Sequence, residues 1–152
     1  LVLIAPADSN LQLDIRPGFP LKAALGRGRL ATGDPDIVPV GRYARSALAS
    51  LGVWNDVADR LVRADNVRTA LAYVASGEAP LGIVYDTDAR VQDRVRVVDI
   101  FPADTHAPIL YPAAAVTRTS AVARQFLAFL AQPNARRIFR EHGFQPAPTP
   151  PQ

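Results

Sequence analysis

Residues 33–44 read GDPDIVPVGRYA, and they decide the fold of this 152-residue chain. Pro35 and Pro39 fix their own φ angles and push the residues before them toward extended backbone, so the first half of the stretch predicts a turn. After it, small and apolar residues recur at helical spacing up to Leu51, and Gly52 is a typical helix stop. The stretch therefore predicts a loop that leads directly into an amphipathic helix.

The start of this helix carries Val40 and Gly41, neither of which has a side chain that can cap it. The first backbone N–H groups of a helix have no partner within the helix, and the helix dipole places partial positive charge there. Such a start favours an anion. An ordinary βα loop whose N–H groups face water has the same sequence pattern, so this segment alone leaves both interpretations open.

A second helix start and a strand end follow along the chain. Asp65 or Asn66 is predicted to cap a helix whose apolar face begins at Val67. Residues 80–86, PLGIVYD, form a short apolar run between turn formers and predict a buried strand. Tyr85 ends this strand, where the ligands of open α/β sheets collect, so its phenol is a candidate ligand group. Standing alone, it would be interpreted as a rim tyrosine that packs its ring.

The rest of the chain alternates predicted strands and helices, which is typical of an α/β fold. Extended segments are predicted at residues 1–5, 29–32, 60–63, 95–100 and 109–116. Helices are predicted at residues 53–61, 121–131 and 133–142, and a short helix or a turn at residues 21–25. Pro112 interrupts the last strand, which predicts an edge or crossover position for it.

Composition excludes several classes of protein. The chain has no Cys, which rules out disulfides, thiolate metal sites and cysteine nucleophiles. No apolar stretch approaches the roughly 20 residues that span a bilayer. The net charge of +3 comes mostly from arginines on different predicted elements, without interleaved aromatic residues. This pattern favours a solvated surface over nucleic-acid binding.

Signals for catalysis are weak. The two histidines, His106 and His142, lack the local spacing of a metal site. No serine lies in a G-x-S-x-G motif. Aspartates two residues apart could bind a cation or exchange protons, but on loops they are more typical of turns; these pairs are Asp34 with Asp36 and Asp86 with Asp88. We therefore expect no catalytic residue and no direct protein ligand to a metal.

Many short segments, in the same order, resemble the family of periplasmic molybdate-binding proteins (ModA) of bacterial ABC importers. The resemblance extends to about Phe144 and suggests that the chain corresponds to roughly the C-terminal two-thirds of such a protein. The matching segments are GDP at 33–35, VPVG at 38–41, YA at 43–44, LGVW at 51–54, DNVR at 65–68, AL at 70–71, APLGIVY at 79–85, FP at 101–102 with His106, IF at 138–139 and GF at 143–144.

The resemblance implies a set of neutral donors to an oxyanion. Val40 and Val67 would each donate a backbone N–H, and Tyr85 would donate its hydroxyl. The family often has Ala in place of Val40, a change that a backbone donor tolerates. The implied bound ligand is molybdate or tungstate, with no cofactor.

The resemblance also implies a type II periplasmic-binding-protein-like fold, with one complete lobe and the C-terminal part of the other. The portion of the first lobe that carries two serines in the family would precede Leu1. The implied segments are an inter-lobe crossover strand at residues 1–8 that ends the first lobe, the second α/β lobe at 9–108, a return crossover at 109–116, the C-terminal helices of the first lobe at 117–144 and a disordered tail at 145–152.

The function implied by the resemblance is capture without chemistry. The protein would be the periplasmic substrate-binding component of an ABC importer, holding molybdate or tungstate in the cleft between its lobes. Its partners would be the oxyanion and the membrane permease, with no nucleic acid and no membrane insertion. Three alternatives stay open: a binding protein for another tetrahedral oxyanion such as sulfate, a ligand-sensing regulator domain, and an enzyme on the same fold.

Overall fold

The computed structural model describes residues 1–116 and 120–145. The chain forms two compact units, Leu1–Ala107 and Pro108–Gln152. The predicted assignment of segments to two lobes stays a prediction.

The first unit is built on a mixed sheet of five strands. The strands are β1 Val2–Pro6, β2 Leu30–Gly33, β3 Leu61–Ala64, β4 Leu81–Val84 and β5 Val95–Ile100, in the order β3-β2-β4-β1-β5. β2 runs parallel to β3 and β4, whereas β1 is antiparallel to β4 and β5. The carboxyl ends of β2, β3 and β4 therefore lie at one edge of the sheet.

Helices cover both faces of this sheet. Those of the first unit are α1 Leu21–Leu25, α2 Pro39–Ser50, α3 Trp54–Val57, α4 Val67–Ala75 and α5 Asp86–Ala89. Successive strand residues point to opposite faces: Leu30 packs in one buried cluster with Leu48 of α2, and Ala31 packs in the other with Val74 of α4. The α/β architecture is the one that the alternation of strands and helices predicts.

Two local signals place the ends of α2. Pro39 is its first helical residue, where the missing N–H of proline costs nothing. Gly52, just past its end, has a φ of 75°, a left-handed conformation that favours glycine. Gly77 follows α4 in the same way, with a φ of 79°. The predicted stop of α2 at Gly52 is confirmed.

The second unit contains α6 Ala121–Leu130 and α7 Pro133–Glu141. Ser120 caps α6 by accepting a hydrogen bond from the amide of Ala123 at 3.2 Å. Both helices lie where the sequence predicts them. Most of the predicted disordered tail, residues 146–152, lies outside the described residues.

One prediction of local structure is wrong, and one short helix was not predicted. Residues 109–116 form no strand but an irregular segment. A strand needs a partner for its backbone groups, and Pro112 removes one of the donors that would form the ladder. The sequence also failed to predict α5, whose four residues contain two aspartates and resemble a turn.

Candidate anion-binding site

Helix α2 begins without a side-chain cap. Its N-cap residue, Val38, has extended backbone and makes no capping hydrogen bond with its side chain. The first bond into this turn runs from the amide of Arg42 to the carbonyl of Val38, at 3.1 Å. The amides of Val40 and Gly41 precede that bond, so helix geometry gives them no partner within α2.

The first turn of α2 lies directly on the end of β2. A Cβ at Gly41 would stand 2.0 Å from the carbonyl oxygen of Gly33, and a Cβ at Gly33 would stand 2.7 Å from Cγ1 of Val40. Both positions therefore require glycine for close packing. Val40 is only 1% exposed as a whole residue, so its backbone and its side chain both lie within this close contact.

Helix α4 has a side-chain cap, as predicted. Asn66 is the cap, and its Oδ1 accepts a hydrogen bond from the amide of Thr69 at 2.9 Å. Asp65 instead accepts a hydrogen bond from Nδ2 of Asn66 at 3.0 Å. The cap satisfies the third amide of the helix, and helix geometry gives the amides of Val67 and Arg68 no partner within α4.

The three predicted site residues follow three parallel strands at the same edge of the sheet. Val40 follows β2, Val67 follows β3, and Tyr85 comes directly after β4. A hydrogen bond of 2.8 Å from the amide of Asp34 to the carbonyl of Ala64 joins the ends of β2 and β3. In sheets of this kind ligands bind beyond the carboxyl ends of the strands.

The Tyr85 ring contacts helix α2 through another tyrosine. The rings of Tyr85 and Tyr43 meet edge to face, with centroids 6.4 Å apart. Tyr43 meets His106 in the same geometry, at 5.8 Å. The sequence analysis assigned no role to Tyr43 or His106. For Tyr43, the sequence did contain one indication: it lies three residues after Val40 and so on the same face of the helix.

The aspartates beside Tyr85 face arginines. Asp86 accepts a hydrogen bond from Nε of Arg90 at 2.6 Å. Burial raises the pKa of the Asp88 carboxyl, and the positive charge of Arg68 offsets part of that rise. The charge of each carboxylate is thus countered by a neighbouring arginine, which reduces its repulsion of an anion at this edge.

The other pair of aspartates shapes the loop before α2. Oδ1 of Asp34 accepts a hydrogen bond from the amide of Asp36 at 2.9 Å, as a turn former does. Within residues 1–116 and 120–145, no group of three or more acidic or histidine side chains is arranged to hold a metal ion.

The comparisons with known proteins agree with this architecture. A family model described as "Bacterial extracellular solute-binding protein" matches residues 1–145. The chain belongs to this family. The solute-binding protein is 46% identical over 146 residues to the molybdate-binding protein ModA of Haemophilus influenzae, covering 95% of this chain and 57% of that protein. It is 42% identical over 148 residues to ModA of Escherichia coli, with the same shares of each chain covered.

A solved structure agrees as well. The periplasmic molybdate-binding protein of Azotobacter vinelandii matches with a TM-score of 0.74 and 26% identity, over 96% of this chain and 65% of that one. The resemblance to molybdate-binding proteins and the partial type II binding-protein fold are therefore confirmed. The chain spans 57% of the length of the two ModA proteins. None of its described helices is both long and apolar enough to cross a bilayer.

Proposed function

We propose that this solute-binding protein captures molybdate, and tungstate with it, in the periplasm as the substrate-binding component of an ABC importer. The observation that carries the proposal is the pair of helix starts, α2 and α4, that follow adjacent parallel strands. The name "molybdate-binding protein" of the relatives supports this choice of ligand.

The proposed donors are the amides of Val40 and Val67 and the hydroxyl of Tyr85. Molybdate stays fully ionised at neutral pH, so a site for it needs hydrogen-bond donors and no acceptors. Hydrogen bonds to an ionised acceptor are roughly twice as strong as neutral ones. They strengthen further where water is excluded, because the effective dielectric constant falls. No cofactor and no catalytic group takes part in this capture.

The proposal includes a first lobe that completes the site. Residues 9–108 would form the second lobe and residues 117–144 would add helices to the first, with residues 1–8 and 109–116 as the two crossovers. Closure of the lobes would exclude water and create the surface that the membrane permease recognises. Selection against sulfate would rest on cavity size, because molybdenum–oxygen bonds are longer than sulfur–oxygen bonds.

Calorimetry of the complete polypeptide that carries this chain tests the proposal. Molybdate and tungstate are titrated separately, and sulfate and phosphate serve as competitors. We expect molybdate and tungstate to bind at one site and a large excess of sulfate to leave molybdate binding unchanged. Tighter binding of sulfate than of molybdate would instead identify a protein for the smaller oxyanion.

A further inference from the structure

An arginine of β3 holds the loop that leads into α2. Nη1 of Arg63 lies 2.8 Å from Oδ2 of Asp36 and 3.4 Å from Oδ1 of Asp34. Arg63 pairs with Thr32 of β2, the residue before the last one of that strand. A side chain of β3 thus holds the loop that follows the neighbouring parallel strand, β2.

The backbone of Asp34 joins this loop both to β3 and to the start of α2. Its amide donates to Ala64 at 2.8 Å, and its carbonyl accepts from the amide of Val38 at 2.8 Å. The first turn of α2 rests on the same residue, since a Cβ at Gly41 would stand 2.7 Å from the carbonyl carbon of Asp34. The position of Asp34 therefore sets the position of the amides at the start of α2.

Arg63 also neutralises charge in this loop. Asp34 and Asp36 place two carboxylates within the six residues that precede Val40. Arg63 contacts both carboxylates, whereas Arg45 contacts only that of Asp36, at 3.4 Å. Without Arg63, the carboxylate of Asp34 would lose the one ion pair found for it among the described residues, and its field would oppose a bound dianion.

We propose that Arg63 is a positioning residue of the anion site: it contacts no ligand itself, but it holds and neutralises the loop that presents the amides of Val40 and Gly41. This inference rests on the proposed function. It predicts a loss of affinity without a comparable loss of global stability, because the side chain is partly exposed, with a relative accessibility of 45%.

The test compares Arg63→Gln with Arg45→Gln in the complete polypeptide. Arg45 is a matched control, since it also pairs with Asp36 and is similarly exposed, but it leaves the contact between Arg63 and Asp34 intact. The measurements are the molybdate Kd by calorimetry at low and high salt, the melting temperature, and hydrogen exchange at the amides of Asp34 and Val38 in the ligand-free protein.

For Arg63→Gln we expect a Kd about tenfold weaker, because the amides at the start of α2 lose their fixed position and the Asp34 carboxylate loses its ion pair. The difference in Kd between Arg63→Gln and wild type should become smaller at high salt, because salt screens the exposed carboxylates. Exchange at Asp34 and Val38 should accelerate, with the melting temperature nearly unchanged. Arg45→Gln should stay within about twofold of wild type in Kd, as expected for an exposed ion pair.

Equal effects of the two variants, or a Kd within twofold of wild type for Arg63→Gln, would overturn the role of Arg63. A lower melting temperature with an unchanged Kd would mean that Arg63 is merely structural. Wild-type protein that binds no oxyanion would instead overturn the proposed function. The exchange rates then still decide whether Arg63 holds the loop.

Discussion

The helices of the first unit bury their apolar faces, whereas those of the second unit leave them exposed. In α2, Ala44, Ala47 and Leu48 are inaccessible to solvent. In α6 no residue is buried, and Phe126 keeps 57% of its surface exposed. In α7 only Ala135 is buried.

The contrast shows that an amphipathic sequence pattern can form a helix whose apolar face is not buried in a core. Phe126 and Phe129 on α6, and Ile138 and Phe139 on α7, are all more than two-fifths exposed. Full burial of such a side chain is worth roughly 1.5–3 kcal/mol. Under the proposed function, the first lobe would be the partner of this surface.

The largest effect is expected from Leu48→Ala set against Phe126→Ala in the 152-residue chain. Leu48 is fully buried between α2 and the sheet, so its truncation should lower the free energy of unfolding by about 2–5 kcal/mol. Phe126→Ala should cost less than about 1 kcal/mol, because the ring has little packing to lose. Urea denaturation measures both values, and similar losses would contradict the contrast.

Gly41→Ala should disturb the tight start of α2. The added methyl group would meet the Gly33 carbonyl at 2.0 Å, so we expect a loss of about 1–3 kcal/mol in unfolding free energy. Molybdate binding should weaken as well, since the amides of this turn are displaced. Ala49→Val, at an exposed position of the same helix, is the control. Unchanged stability in the glycine variant would show that the turn can shift freely.

Tyr85→Phe should weaken molybdate binding by roughly 10- to 150-fold. The variant keeps the ring contact with Tyr43 and removes the proposed donor to a charged ligand, which is worth about 1.5–3 kcal/mol. Tyr73→Phe on α4 is the matched control. Calorimetry of the complete polypeptide measures both constants, and equal constants for the two variants would exclude Tyr85 as a donor.

The smallest effects are expected at the two helix caps. Asn66→Ala removes the cap of α4, whose apolar face is buried in the first unit. The change should lower the unfolding free energy by about 1 kcal/mol. Ser120→Ala removes the cap of α6, and in the 152-residue chain it should fray that helix alone. Urea denaturation measures the loss of global stability in each variant, and hydrogen exchange at α6 detects fraying of that helix alone. A global loss in the serine variant would mean that α6 unfolds together with the sheet.

Local signals predicted most elements of this protein correctly. Pro39 at the start of α2 and the glycines after α2 and α4 act through their own φ angles, so they need no distant partner. Residues 109–116 show the limit of such signals. Their apolar character resembles a strand, but a strand forms only where another chain segment pairs with it.

For the candidate site, the sequence by itself determined which backbone amides stand at helix starts, because caps and helix starts depend on neighbouring residues. Only the tertiary structure decided that α2 and α4 start from one edge of the sheet, that the Val40 side chain is buried and that Arg63 reaches Asp34. These contacts join residues far apart in the chain. They follow from strand register and close packing, which no local propensity specifies.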